Sequence, residues 1–236
     1  MPKRYWYILL TYVLMQLSGF LGLPILIVTF NMGLEEAIIY WNIFSFTIAT
    51  IILLFLLKQD MLEGSGKDAA SISQTILWSM IGVFLAFSSQ IFASFIEVEV
   101  LGIEPGSKNT AEIMELTRSI PLFMIVPTLL APFLEEIVFR KIIFGALYQR
   151  LNFFIAALLS SLIFGIIHGE PQHLLIYSTM GFVFAFLYLK TKRIIVPIFA
   201  HAAMNSITVF VQYSIDPEEL DKMIRQLEEM MIFIGN

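Results

Sequence analysis

Cysteine is absent from this 236-residue chain, which excludes disulfides, thiolate zinc sites, iron–sulfur clusters and a cysteine nucleophile. Charge is scarce as well. Charged residues make up 14% of the chain, against about 25% in globular domains. The formal net charge is −5, and no basic stripe exists to meet a phosphate backbone, so nucleic acid is excluded as a partner. Histidine occurs three times, at positions 168, 173 and 201. No internal repeat is visible, so a transporter built from two obvious halves is not indicated. What fills the chain instead is apolar. Hydrophobic residues reach 58%, in blocks long enough to cross a bilayer. The expected class is an all-α, polytopic membrane helix bundle.

The apolar blocks predict about seven transmembrane helices and a C-terminal amphipathic helix. Span one covers about 5–30 behind Lys3 and Arg4, with Gly19, Gly22 and Pro24 predicting a bend or close packing rather than a break. It is too long for a signal-peptide core and no small-residue cleavage site follows, so it reads as a retained helix. Spans two and three cover about 37–57 and 69–96, joined by a loop with Gly64-Ser65-Gly66. An acidic segment follows, from Glu97 to Thr117. Span four begins near Ser119, carries Pro121, Pro127 and Pro132, and should be kinked. Spans five, six and seven cover about 151–168, 173–189 and 194–215. The chain thus divides into an N-terminal part, 1–118, a core of spans four to seven, 119–215, and a tail, 216–236.

The tail opens with Asp216-Pro217-Glu218-Glu219, an N-cap, a proline at the first helical position and a capping box. Leu220, Met223, Leu227, Met230 and Ile234 then recur at near-heptad spacing. A helix lying on the membrane or on its own protein is the plainer reading, and a homodimer seam the lesser one. With odd spans leaving the cytoplasm, Lys3, Arg4, Lys58, Lys67, Arg140, Lys141, Arg150, Lys190, Lys192 and Arg193 lie inside. Lys108, Arg118, Lys222 and Arg225 lie outside. Ten against four is the positive-inside bias. It puts the N-terminus in the cytoplasm and the C-terminus outside, and a bacterial cytoplasmic membrane suits a compact, cysteine-free chain.

The chemistry concentrates in Glu135, Glu136 and Arg140. A charge at membrane depth costs a few kcal/mol even on the mildest insertion scale, so three within six residues call for an explanation. Glu136 and Arg140 stand at i, i+4 and can pair. Glu135 lies about 100° around the helix and is left to face the bundle interior. His168 closes span five in Phe164-Gly165-Ile166-Ile167-His168, and His201 and Asn205 share one face of span seven. A lone intramembrane histidine bonding a backbone carbonyl needs no function, but acid and imidazole groups on three spans favour a site. His173, beside Pro171 and Gln172, reads as interfacial. Glu35 and Glu36 read as a solvated face, and Tyr5, Trp6, Tyr40, Trp41 and Trp78 as interfacial anchors. One difficulty stands. By rise per residue, ~1.5 Å, His168 falls near the outer end of span five and Glu135 in the lower half of span four. They meet only if span four is kinked or short, or span five starts within the membrane.

Glu135-Glu136-x-x-x-Arg140, then Phe164-x-x-x-His168, then His201-x-x-x-Asn205, each on its own span and in this order, resembles the CAAX protease and bacteriocin-processing family. This is the family of intramembrane endopeptidases also called Abi or type II CAAX proteases. The likeness covers about 121–211. It implies peptide-bond hydrolysis within the membrane, with a peptide or a prenylated protein as substrate. Members are commonly called metalloproteases, although a metal-independent, glutamate-driven mechanism has been argued for the family too.

The residues accommodate either chemistry. Amide hydrolysis needs an activated water, an oxyanion stabiliser and a proton for the departing amine. Glu135 is the expected general base, with His168 holding or polarising the water. His201 and Asn205 are the expected oxyanion donors, and Glu136–Arg140 the pair that holds Glu135 in place. In the metal version His168, His201 and Glu135 would bind zinc with water in the open position. Two other classes stay open: a proton-coupled transporter using the same residues as a relay, and a non-catalytic membrane immunity or scaffold protein.

Overall fold

The structure, a computed structural model, describes residues 1–64, 66, 68–215 and, in the tail, 222, 225 and 226. The rest of the predicted amphipathic tail, with its dimer seam, and Lys67 lie outside the described residues. Every regular element among them is helical. Five helices are long and apolar enough to cross a membrane, and a sixth span arises if α1 (Lys3–Leu17) and α2 (Gly19–Phe30) count as one helix bent by 44°. The others are α3 (Leu34–Leu56), α5 (Ile72–Phe95, extended by a π turn Ile96–Val100), the irregular stretch Pro121–Tyr148, α10 (Leu174–Thr191) and α11 (Ile195–Ser214). A shorter apolar helix, α9 (Phe153–Ile166), occupies the place of span five. Two short polar helices, α4 (Lys58–Glu63) and α6 (Lys108–Ser119), connect the spans.

The bend in span one falls at the Ser18-Gly19 pair, a frequent site of kinks. The second helix starts there, the N–H groups of Leu21 and Gly22 both reaching the Ser18 carbonyl. Trp41 lies on Gly22 and donates its ring N–H to Ser18 Oγ at 3.0 Å. Only a glycine at position 22 leaves room for that ring.

Polar bonds at the two ends of the bundle fix the alternation of the spans. At one end Asp60 receives Arg4 Nε at 2.8 Å, the Tyr5 hydroxyl at 2.6 Å and Lys141 Nζ at 3.3 Å. Nearby, Asp68 pairs with Lys192 at 3.2 Å and the Ala70 N–H reaches the Thr191 carbonyl. At the other end Arg118 Nη2 donates to the carbonyls of Gln212 and Ile215 at 2.6 and 2.8 Å. There too Glu97, read from the sequence as part of an external acidic segment, is buried against His173.

Small residues bring the helices of the core together, as helix packing in lipid requires. A Cβ on Gly82 would meet Leu187 and Ala200, and one on Gly181 would sit 3.0 Å from Ser161. Large side chains such as Phe20, Val28, Phe55 and Phe84 point outward, where lipid tails satisfy them.

The fourth span carries the prolines and is irregular throughout. It runs as a 3-10 turn (Pro121–Met124), a π turn (Val126–Leu130), α7 (Ala131–Glu136), a π stretch (Ile137–Phe144) and α8 (Gly145–Tyr148). Such π segments recur at functional sites because they re-aim side chains without ending the helix.

Candidate active site

The switch from α7 to the π stretch comes directly after Glu136, and it sets the two glutamates apart. Glu136 is fully buried. Its Oε2 lies 3.0 Å from Arg140 Nε, and its Oε1 lies 2.9 Å from His201 Nδ1 on α11. A carboxylate only accepts, so His201 Nδ1 carries the proton and Nε2 is the free edge of that ring. That Nε2 stands 3.9 Å from Glu135 Oε2. This is beyond hydrogen-bond distance, and an oxygen bonded to both groups would sit at the apex of a triangle between them. The Glu135 side chain is 13% exposed, whereas those of Glu136, Arg140 and His201 are 0–5% exposed. Glu135 is therefore the member of the group that small molecules can reach.

Arg140 shows how a cation survives here. Its guanidinium carbon lies 4.3 Å over the Phe164 ring and 5.3 Å over Phe184, with Glu136 on its remaining side. Cation–π contacts of this kind strengthen when desolvated. Phe164 is shared further. Its ring meets His168 edge-on at 4.6 Å and His201 at 6.0 Å, so one buried phenylalanine spaces both histidines and the arginine. Phe184 stacks on His201 at 4.8 Å.

His168 lies on the turn just past α9. Its Nδ1 approaches the Phe164 carbonyl at 2.7 Å. A carbonyl only accepts, so Nδ1 is the donor and Nε2 is left free as an acceptor. The depth difficulty assumed straight, full-length helices, whereas span four is irregular and α9 has 14 residues, about 21 Å at 1.5 Å per residue and short of the ~30 Å hydrocarbon core. Asn205, on α11, donates Nδ2 to the Pro127 carbonyl at 2.9 Å. In the π register that carbonyl would bond the residue five on, which is Pro132 and has no N–H. One Asn205 N–H thus fills a gap that the prolines create.

The structure thus brings Glu135, Glu136, Arg140 and His201 together directly and His168 through Phe164, with Asn205 one turn along α11. Among the described residues no group of three or more His, Asp and Glu side chains is placed to hold a metal ion, while the Nε2 atoms of His168 and His201 both stay free. An apolar hollow of about 580 Å³ between α2 and α3, lined by Leu26, Trp41, Phe44 and Ile48 among others, has no carboxylate or imidazole in its wall.

Sequence reasoning missed a second buried polar cluster. His173 Nδ1 meets Glu97 Oε2 at 2.8 Å, and Glu97 also accepts the Ile176 N–H at 3.1 Å. Glu170 accepts from Ser107, the Asn109 N–H and the Tyr177 hydroxyl. A lone glutamate ending a long apolar span with no cation beside it was the signal available.

A family model described as "Type II CAAX prenyl endopeptidase Rce1-like" matches residues 117–207, a stretch containing Glu135, Glu136, Arg140, His168, His201 and Asn205. The Bacillus subtilis (strain 168) protein named "Putative membrane peptidase YdiL" is 43% identical over 248 residues, covering 100% of this chain and 98% of that one. The chain belongs to the Rce1-like CAAX protease family. The Staphylococcus aureus (strain USA300) "Membrane-embedded CAAX protease MroQ" is 35% identical over 240 residues, covering 94% and 95% of the two chains. No solved structure matches the chain. As a member of the CAAX protease family it is a membrane peptidase, and its apolar helices make it an integral membrane protein.

Proposed function

We propose that this chain hydrolyses peptide bonds within the bilayer by a metal-independent mechanism in which Glu135 activates water. The observation that carries the reading is the division of labour between adjacent carboxylates. Glu136 is occupied by Arg140 and His201, while Glu135 is partly accessible and faces the free edge of His201. In the proposed reaction Glu135 takes a proton from water as its oxygen bonds to the substrate carbonyl carbon. His168 Nε2 accepts the second water hydrogen and orients the molecule. Negative charge develops on the carbonyl oxygen, and His201 would donate Nε2–H to it, a role that requires a proton on this nitrogen in addition to the Nδ1–H bonded to Glu136. The second Asn205 N–H is available for the same oxygen. One such donor is worth ~10²–10³ in rate. The C–N bond then breaks and Glu135 returns its proton to the departing amine.

The proposed substrate class is a membrane-associated peptide or prenylated protein, and the proposed topology has the N-terminus in the cytoplasm. Ten of the fourteen Lys and Arg residues on that side support the topology.

The test is to incubate purified chain in liposomes with a bacterial membrane-protein extract and identify new peptide termini by mass spectrometry. Wild type is expected to generate termini that Glu135→Ala, His168→Ala and His201→Ala proteins, at equal amounts, do not. The same termini from Glu135→Ala would overturn the reading.

A further inference from the structure

His168 carries a site role yet lies beyond the last turn of its helix. Its backbone N–H reaches Gly165 at 3.2 Å, and the next residue, Gly169, takes a positive φ of 72°. A side chain on such a turn is not held by helical packing. The Nδ1 bond to Phe164 fixes one edge of the ring, but the imidazole can still swing about that bond. What faces it is Tyr177, whose ring lies parallel at 4.1 Å between centroids and 24° between planes.

Tyr177 is itself fixed at two points, its hydroxyl and its backbone. Its hydroxyl donates to Glu170 Oε2 at 2.6 Å. Glu170 is anchored in turn by the Ser107 hydroxyl at 2.7 Å and the Asn109 N–H at 3.2 Å, on the first turn of α6. Its backbone belongs to the first turn of α10, where Glu97 from α5 accepts the Ile176 N–H and bonds His173. The arrangement therefore ties four separate segments to one aromatic ring, and that ring's free face is spent on His168.

We infer that Tyr177 is a positioning residue, whose ring face holds the His168 imidazole in the plane in which its Nδ1 stays bonded to Phe164 and Nε2 faces the site. The inference rests on the reading of His168 as a site residue for its consequence, but the positioning is measurable without any substrate.

The chain has three histidines, so 15N-histidine labelling of the full chain in nanodiscs gives three imidazoles, assigned by His173→Gln and His201→Gln. The wild type should show His168 as a single tautomer protonated at Nδ1, with cross-relaxation between the His168 and Tyr177 ring protons. Tyr177→Phe should keep the single tautomer. Tyr177→Leu should lose it to an exchange-averaged signal, with the His201 signal unmoved. A His168 spectrum unchanged in Tyr177→Leu would overturn the inference. Should the leucine variant fail to fold, absence of His168–Tyr177 cross-relaxation in wild type would overturn it equally. On a substrate found through the new termini, Tyr177→Leu should lower kcat roughly ten- to a hundred-fold, as a misplaced catalytic group does, with KM unchanged and Tyr177→Phe restoring most of it. If Glu135→Ala cleaves normally, the peptidase reading falls while the spectral result stands.

Discussion

Arg140 is the residue whose environment most constrains the rest. It is fully buried, its ionic partner among the described residues is Glu136, and aromatic rings lie against its guanidinium. Removing one partner of a buried pair costs about 3–5 kcal/mol, because the other charge is left alone, whereas replacing both with apolar residues can be near neutral. Glu136→Ala and Arg140→Ala should therefore each lower the melting temperature in detergent sharply. The double variant Glu136→Leu/Arg140→Met should melt closer to wild type than either. Glu136 and Arg140 were legible as a pair from their spacing alone. The His201–Glu136 bond was not, because no pattern within one helix states which neighbour it will face. Nor does the sequence pattern state that Asn205, an expected oxyanion donor, gives one N–H to the bare Pro127 carbonyl.

At the scale of elements, close approach and capping decide the architecture. Gly22 lies under the Trp41 ring, so Gly22→Ala must push α2 from α3. Overpacking of this kind costs about 1–3 kcal/mol, read as a lower melting temperature, and Trp41→Phe should relieve part of it. Glu170 ties α6 to the start of α10. Burial alone would raise its carboxyl, but bonds from Tyr177, Ser107 and Asn109 outweigh that and hold it below the usual glutamate range. The sign follows from linkage: a depressed folded value gives stability present in full above the unfolded value, about 4.3, and lost as pH falls through the folded value. Glu170→Gln should thus melt below wild type near neutral pH, and the gap should close in acid. The spans themselves were legible because apolar length is a direct requirement of the bilayer. The shortness of α9 was not, since the apolar run continues to Ile167 and only the turn at Gly165–Gly169 ends the helix.

For the whole molecule, the alternating end-to-end bonds make an up-and-down bundle in which spans four, five and seven deliver their polar groups to one interior location. Ordered motifs on separate apolar runs announced that convergence, while depth could not be settled by counting residues along straight helices. The irregular fourth span and the short fifth supply the adjustment. Membership of the CAAX protease family gives the molecule a peptidase identity, and the accessible Glu135 gives it a candidate base. The most direct test is the cleavage rate of purified Glu135→Gln protein against wild type, both treated with a metal chelator, on one defined substrate. The account predicts that chelated wild type keeps its rate and that Glu135→Gln, still folded, falls by about 10² or more. A Glu135→Gln protein that cleaves at the wild-type rate would contradict it.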